Sequence, residues 1–391
     1  MKAFIINTDT VKTPFNEHPR SLLILNHGLK EHQERTLRNL NIDFQFVHDA
    51  SQIEDKGERI IFYDHTYVSE NLLKEFISES RRTGKATVCA LKKGAVTSRS
   101  VVPTMSVDEG DDHVTYKLFY YPTASGKDNL HRVIIDPDEY TVKIRFPKHM
   151  VKEENYAVPI TTKLLIQIEH WTNLWACNIA GVLGYVQEFR RSPKMKLLGM
   201  ALRARSANPW KVSAQNVSIG KGCDIHPSAY LENALIGDNV EVGAGTVIRG
   251  CKIGDDTAIA NNSNISYSVI GDGCNIMNGD CVQYSVLYPR AFVACKSLNC
   301  CFLGKDTFIG GGATLADFRF DEKNIQVLQK GRKIDTGNTF LGSCLGHRSY
   351  IGAGVVVSPG REIPNDVKIL PSGDNILTKI PTRGNFSILE L

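Results

Sequence analysis

Residues able to do chemistry concentrate in one stretch of this 391-residue sequence, Asp317 to Cys344. It opens with Asp317-Phe318-Arg319-Phe320-Asp321, continues with Lys330-Gly331-Arg332-Lys333 and closes with Asp335-Thr336-Gly337. Arg319, Lys330 and Arg332 are suited to phosphate oxygens, to which guanidinium and ammonium groups make charge-assisted hydrogen bonds. Asp317 is suited to accept a hydrogen bond, or a proton, from an amine or hydroxyl. Charges of both signs mixed with two aromatics favour a ligand-handling loop over a merely solvated one. A second charged stretch lies between Val186 and Lys211. There Arg190, Arg191, Lys194, Lys196, Arg203, Arg205 and Lys211 stand against the single acid Glu188, interleaved with Met195, Leu197, Leu198, Met200 and Leu202. This basic amphipathic connector reads as a solvated helix face joining two domains, or as an anion site for a nucleotide, phosphosugar or membrane headgroup.

The elements that must position the first loop are set by a repeat. Ile219-Gly220, Ile236-Gly237, Ile253-Gly254 and Ile270-Gly271 are spaced 17 residues apart, and Leu287 falls on the same count. Further aliphatics lie between them at steps of six, six and five: Ile225 and Leu231, Val242 and Ile248, Ile259 and Ile265, Ile276 and Val282. That period fits neither a helix nor an alternating strand; it fits a coil of three short strands whose corner aliphatics stack from turn to turn. Leu303-Gly304, Ile309-Gly310 and Leu315 continue it, and after the charged loop it resumes at Leu345-Gly346, Ile351-Gly352, Val357 and Ile363. Roughly seven coils exceed the ~3 that such stacking needs. Eight of the ten cysteines lie after Ile219 and follow the repeat, so they read as small core side chains rather than metal ligands.

The first 185 residues read differently. Lys2–Asn7, Asp43–Val47 and Arg59–Tyr63 have strand character, while Gly28–Leu40 and Glu70–Arg82 have helical spacing. The alternation predicts an α/β domain with a parallel sheet, turning to strands alone around Glu109 to Pro147. Thr161 to Phe189 reads as one long helix carrying Trp171, Trp175 and Tyr185, aromatics better suited to packing than to a ligand box. The expected organisation is 1–185 α/β, 186–215 basic linker and 216–391 solenoid. A net charge of +4 is too balanced to imply a nucleic-acid binder, and no apolar run approaches the ~20 residues of a membrane span. Ten cysteines behind a start with no secretory pattern lead us to expect reduced thiols and a cytoplasmic protein.

Together these features resemble the bifunctional sugar-1-phosphate nucleotidyltransferase/acetyltransferase family. The stretch Leu303-Gly304 through Ile309-Gly310-Gly311-Gly312-Ala313-Thr314-Leu315-Ala316-Asp317-Phe318 is similar to that family's acyl-acceptor region. Lys330 to Gly337 is similar to a loop of its archaeal-type relatives. Pro19-Arg20-Ser21-Leu22-Leu23-Ile24-Leu25-Asn26-His27-Gly28 resembles its Lys-Pro-Leu-Leu-Pro-Val segment, and Ile60-Ile61-Phe62-Tyr63-Asp64 the strand ending in its metal-binding Asp. The resemblance implies an α/β nucleotidyltransferase-like domain followed by a left-handed parallel β-helix. It also implies a homotrimer, an acyl-CoA donor passing Ala353 and the Ile351–Gly354 turn, and a sugar or nucleotide-sugar acceptor. Aligned on Phe302-Leu303-Gly304, the family's catalytic His falls on Asn299, which can orient or polarise but cannot act as a general base. His347, just beyond the charged loop, becomes the base candidate; His226, before Pro227 in the first coil, reads as a cap.

The departures from the family set further expectations. Asn7 to His27 contains no glycine, although backbone N–H groups must approach a triphosphate closely. Asp64 alone could hold a cation such as Mg²⁺, but without a phosphate cradle there is little for it to hold in line. The N-terminal domain is therefore expected to be inactive in nucleotidyl transfer. Two functions remain open: an acyl-CoA-dependent acyltransferase, and a non-catalytic trimeric subunit that binds a nucleotide or phosphosugar.

Overall fold

The computed structural model describes residues 1–372 except 9, 55–56, 99–101, 124–129, 147–154 and 322, and for 155–157 the backbone alone. The last 19 positions of the predicted solenoid domain thus lie outside the described residues.

The N-terminal part is built on a mixed sheet. Its strands are β1 (Lys2–Ile6), β2 (Asp43–Val47), β3 (Arg59–Tyr63), β4 (Thr87–Lys92), β5 (His113–Tyr121) and β6 (His131–Ile135), in the spatial order β6-β4-β5-β3-β1-β2, with the short strand Asp108–Glu109 added beside β5. β1 pairs in parallel with β2 and β3, as predicted, whereas β5 runs antiparallel to both β3 and β4. Helices α1 (Leu29–Asn39) and α2 (Glu70–Thr83) bury Leu37, Leu72, Leu73 and Phe76 against the sheet.

One expectation needs correction. Thr161 to Phe189 is not a single helix: Leu165–Gln167 is a strand antiparallel to Thr66–Val68, and helix α3 spans only Trp171–Arg190. The continuous apolar run from Leu164 is short and fully buried, a pattern that suits a strand as well as a helix. The break is enforced by a cap, in which the His170 side chain accepts from the Thr172 N–H while the Asn173 Oδ1 accepts from the His170 N–H at 2.9 Å. The basic connector follows as α4 (Lys194–Arg203) and α5 (Pro209–Ser213).

From Val217 onward the chain coils as the repeat requires. Ile236 pairs with Ile253, Ile253 with Ile270, Ile270 with Leu287, Leu287 with Leu303, Leu303 with Leu345 and Leu345 with Ile363. Two faces of the solenoid hold eight parallel strands each, one more than the coil count read from the sequence; the third is split into five strands, from Tyr230–Glu232 to Ser297–Asn299, and a further parallel pair, Thr314–Leu315 with Val356–Val357. From Ile236 to Ile363 the corner aliphatics are buried in one continuous core; Ile225 and Leu231 pack half-buried against its start, and Ile219 in the first coil is exposed. The turns carry a ladder of their own: Oδ1 of Asp238, Asp255 and Asp272 accepts the backbone N–H of the residue one coil back, Lys221, Asp238 and Asp255 respectively.

The residue before each first-face corner decides where the two halves meet. In the early coils it is Ser218, Leu235 or Lys252, none of them buried; in the later ones it is Val269, Val286, Phe302 or Cys344, each at most 1% exposed. These four, with Tyr288, pack on α3 and on Phe15 and Leu22 of the α/β part. The first face is therefore apolar on both sides where α3 lies along it.

The charged loop leaves the solenoid after the short strand Thr314–Leu315 and folds as an antiparallel hairpin, Gln326–Gln329 with Arg332–Asp335. Its turn holds Lys330 and Gly331 at φ 48° and 77°, so glycine relieves one of the two left-handed positions. Gly342 ends the excursion behind Asn299: a Cβ there would lie 2.5 Å from the Asn299 carbonyl oxygen.

Candidate functional site

A cavity of about 450 Å³ opens between α3 and the solenoid, at the root of the charged loop. On the α/β side its wall includes Val96, Val158, Trp175, Ile179 and Leu183; on the solenoid side it includes Tyr284, Asn299, Cys300, Asp317, Asn338 and Phe340. Trp175 is fixed by its Nε1–H, which donates to the Tyr284 carbonyl at 2.8 Å. Phe340 stacks on Phe146 at 4.8 Å and on Phe318 at 5.1 Å, tying the loop root over the opening. A mostly apolar concavity with a few convergent polar groups is the usual form of a small-molecule site.

Three polar groups stand out in that wall. Asn299 Oδ1 is buried without a hydrogen-bond partner, and so is Nδ2 of Asn338, a residue 3% exposed. Buried polar atoms left unpaired cost free energy, so two of them on one cavity wall mark a place where a ligand would supply the partners. The third group is Asp317, whose carboxyl is pushed above its ordinary value by burial. A carboxylate so placed is a stronger base than one in water.

The structure thus brings Asn299 and Asp317 to one cavity and leaves the other candidates elsewhere. His347 lines no part of it. The His347 ring is 4% exposed, lies 5.1 Å from Phe15, accepts the Lys305 backbone N–H at Nδ1 (2.8 Å) and places Nε2 3.3 Å from Glu17 Oε1. Burial opposes the Glu17 charge, yet hydrogen bonds from His347 and Lys305 hold its carboxyl below the usual range. His347 is in this way a joint between the two halves of the chain. His226 sits exposed at the solenoid's start, with Nδ1 beside Ser228 Oγ at 2.8 Å.

Of the loop's cations, Arg319 stays beside the root, whereas Lys330 and Arg332 are carried to the hairpin tip. Arg319 forms a two-pronged pair with Asp321, its Nε donating to Oδ1 at 2.9 Å. Lys330 and Arg332 are exposed at the hairpin tip. That tip is docked on the α/β half, where Gln329 Nε2 donates to the Thr104 carbonyl at 2.8 Å and the His170 ring meets the Leu328 carbonyl at 3.3 Å. Ala353 is exposed in the turn that precedes the last third-face strand, Val356–Val357. Asn338 is the residue that sequence reasoning missed. It follows the singled-out Asp335-Thr336-Gly337 turn directly, and that adjacency was the signal available.

Asp64 is fully engaged. Its Oδ1 accepts from Thr8 Oγ1 at 2.7 Å and its Oδ2 from the Thr8 N–H at 3.0 Å, with Arg20 Nε 3.8 Å away. Burial opposes its charge, while His65 and Thr8 hold its carboxyl below the ordinary value. No group of three or more His, Cys, Asp or Glu among the described residues could hold a metal ion. With one carboxylate, already satisfied and beside a guanidinium, this strand end does not fit Mg²⁺. All ten cysteines are unpaired, and burial pushes the thiols of Cys251 and Cys274 up to about 12, as inert core groups require.

Comparison with known proteins bears on the solenoid. The family described as the GMPPB C-terminal domain matches residues 211–299. A bifunctional sugar-1-phosphate nucleotidylyltransferase/acetyltransferase of Sulfurisphaera tokodaii is 35% identical over 69 residues, 18% of this chain and 17% of that protein. The family resemblance holds. It is carried by the solenoid, and the chain spans only about a sixth of that relative's length. Among solved structures, the GDP-perosamine N-acetyl transferase of Caulobacter crescentus, in complex with CoA and GDP-perosamine, is 18% identical. The match covers 40% of this chain and 53% of that one, with a TM-score of 0.15. A hexapeptide transferase family protein from Anaplasma phagocytophilum is 17% identical, covering 43% and 87%, with a TM-score of 0.21. No described helix is long and apolar enough to cross a membrane.

Proposed function

We propose that this protein is a hexapeptide-repeat acyltransferase that modifies a sugar or nucleotide sugar with acyl-CoA as donor. The observation that carries the reading is the convergence of Asp317 with the unpaired Asn299 Oδ1 and Asn338 Nδ2 in one cavity. In the reaction an acceptor amine or hydroxyl attacks the thioester carbonyl, a C–N or C–O bond forms and the C–S bond breaks. Asp317 takes the acceptor proton and returns it to the departing thiolate, so CoA leaves as the thiol and the carboxylate is restored. Asn299 accepts a hydrogen bond from the acceptor and orients it. Asn338 Nδ2 donates to an acceptor oxygen. The Ile351–Gly354 turn, buried at Ile351 but exposed at Ala353 and Gly354 with open space beside Gly354, gives the pantetheine arm a path along the third face. Arg319, Lys330 and Arg332 supply charge for phosphates.

The same reading makes 1–185 a nucleotidyltransferase-like domain without nucleotidyl transfer, 186–215 its linker and 216–391 the catalytic solenoid, assembled as a homotrimer. Support for the silent N-terminal domain comes from the glycine-free Asn7–His27 segment and the Thr8 clamp on Asp64. The second reading, a trimeric subunit that binds a nucleotide or phosphosugar without turning it over, is favoured by one observation: His347 is locked between Glu17 and Lys305. Thiol release from acetyl-CoA, followed across a panel of amino sugars and nucleotide sugars, separates the two. Turnover lost in Asp317→Asn supports the enzyme; tight calorimetric binding with no thiol release supports the subunit. Light scattering at the monomer mass would remove the trimer.

A further inference from the structure

Helix α4 carries two apolar faces, and folding uses only one of them. Met200 is 8% exposed, and Leu197 and Ala201 beside it are half-buried. Met195, Leu198 and Leu202 are 79%, 54% and 70% exposed. At about 100° per residue these three project within about 60° of one another, a stripe along the helix turned away from the body of the protein. Lys194 flanks one side of the stripe, and Lys196 and Arg203 the other. Seven cations and no carboxylate occur between Arg190 and Lys211, and no ion pair joins any of the seven to a carboxylate among the described residues. Trp210, on the neighbouring α5, is 58% exposed, with the Arg249 guanidinium 5.1 Å from its ring centroid.

We propose that this face docks on an anionic lipid surface, with α4 lying in the plane of the headgroups. The occupant must meet two demands at once: an apolar layer for Met195, Leu198 and Leu202, and negative charge close beside it for a rim of unpaired cations. A membrane interface rich in acidic lipid meets both. Methionine and leucine enter the acyl boundary while lysine and arginine extend their stems and keep their charges among the headgroups. A second copy of this chain would bring seven like charges against seven, so charge complementarity points to lipid. The proposal is independent of the acyltransferase reading, because no residue of the cavity takes part.

The test is co-flotation of the full chain with vesicles of equal parts phosphatidylcholine and phosphatidylserine, against phosphatidylcholine alone, at low and high salt. Binding to the acidic vesicles only, weakened by salt, is expected. Lys194→Gln, Lys196→Gln and Arg203→Gln together should lower the partition coefficient by about a hundredfold, near fivefold per cation. Met195→Ser, Leu198→Ser and Leu202→Ser together should lower it by at least about tenfold. All six side chains are exposed, so both variants should melt with the wild type. Failure to float with acidic vesicles overturns the proposal, as does equal flotation with neutral ones or equal binding by either triple variant. A concentration-dependent dimer lost in the serine variant, without vesicle binding, would assign the face to a second copy instead.

Discussion

The phenol of Tyr288 clasps both ends of a single residue 265 positions away: it accepts the Leu23 N–H at 2.7 Å and donates to the Leu23 carbonyl at 3.0 Å. Tyr288 is 2% exposed and packs on Phe15 and Phe302, so no water replaces it. Tyr288→Phe leaves the Leu23 amide facing an apolar ring, while the Leu23 carbonyl keeps only the Asn178 Nδ2–H at 3.2 Å. A loss of about 2 to 3 kcal/mol is expected, read as a lower denaturant midpoint at unchanged slope. A change within about 0.5 kcal/mol, the size of an ordinary surface substitution, would show that the clasp holds nothing.

Asp317 gives a prediction in which function and stability move in opposite directions. Asp317→Asn should cost about 10²- to 10⁴-fold in acyl transfer, the usual worth of a general base. Burial raises the Asp317 pKa in the folded state, so there the folded form binds more protons than the unfolded one. The ionised carboxylate therefore destabilises the fold, and the penalty grows as pH rises through the unfolded and then the folded pKa. The Asn variant should be the more stable protein at neutral pH, and the difference should vanish in acid, below the ordinary aspartate value. Equal stability of the two at every pH would mean that the carboxyl is solvated and no base.

The solenoid was legible because its period is long, regular and hydrophobic: Ile236, Ile253 and Ile270 could share a column in no other common fold. The cavity was not legible in the same way. Trp175 and Asn299 are far apart in sequence, and no local pattern announces that α3 will lie on the later coils. The signal was present in a subtler form, as the change from Ser218 and Lys252 to Val269, Val286 and Phe302 at the position before each corner. An outward apolar residue on a solenoid face means something covers that face. The Leu164 to Ile168 run misled for the opposite reason, since a short buried strand and a helix start look alike until a capping residue separates them. The sequence marked the loop as an excursion from the repeat, but spacing alone could not show that Asp317 stays at its root while Lys330 and Arg332 travel to a docked tip.

The N-terminal domain should form no sugar nucleotide from a nucleoside triphosphate and a sugar-1-phosphate with Mg²⁺. Its strand end offers Asp64 already committed to Thr8, and the preceding segment offers no glycine for a phosphate. The prediction is read as pyrophosphate release against a no-protein control. Release above that control, abolished by Asp64→Ala, would restore catalysis to this domain. Stability carries a separate signature: the Asp64 carboxyl is held low in the folded state, so its contribution is present above the ordinary aspartate pKa. That contribution is lost as pH falls through the depressed folded value. Asp64→Asn should therefore narrow the gap to wild type as the solution is acidified.

The last prediction concerns the cations of the charged loop, which the structure separates into two kinds. Arg319 already has a carboxylate in Asp321, whose own pKa is lowered to about 2 by that pairing, so a phosphate must compete for the guanidinium. Lys330 and Arg332 have no such partner among the described ion pairs, and the tip that presents them is fixed in place by Gln329 on Thr104. If the loop holds the phosphates of a nucleotide sugar, each tip cation makes a charge-assisted hydrogen bond worth ~1.5–3 kcal/mol, or roughly 10- to 150-fold in affinity. Calorimetric titration with a nucleotide-sugar panel should then show losses of that size in Lys330→Ala and Arg332→Ala. The loss in Arg319→Ala should be smaller, because that side chain gives up a bond to Asp321 in order to bind. Gln329→Ala should weaken binding as well, through the tip it no longer anchors, although its own side chain carries no charge. Equal affinity across all four variants would remove the loop from the site and leave the sugar's recognition to Asn299, Asp317 and Asn338 alone.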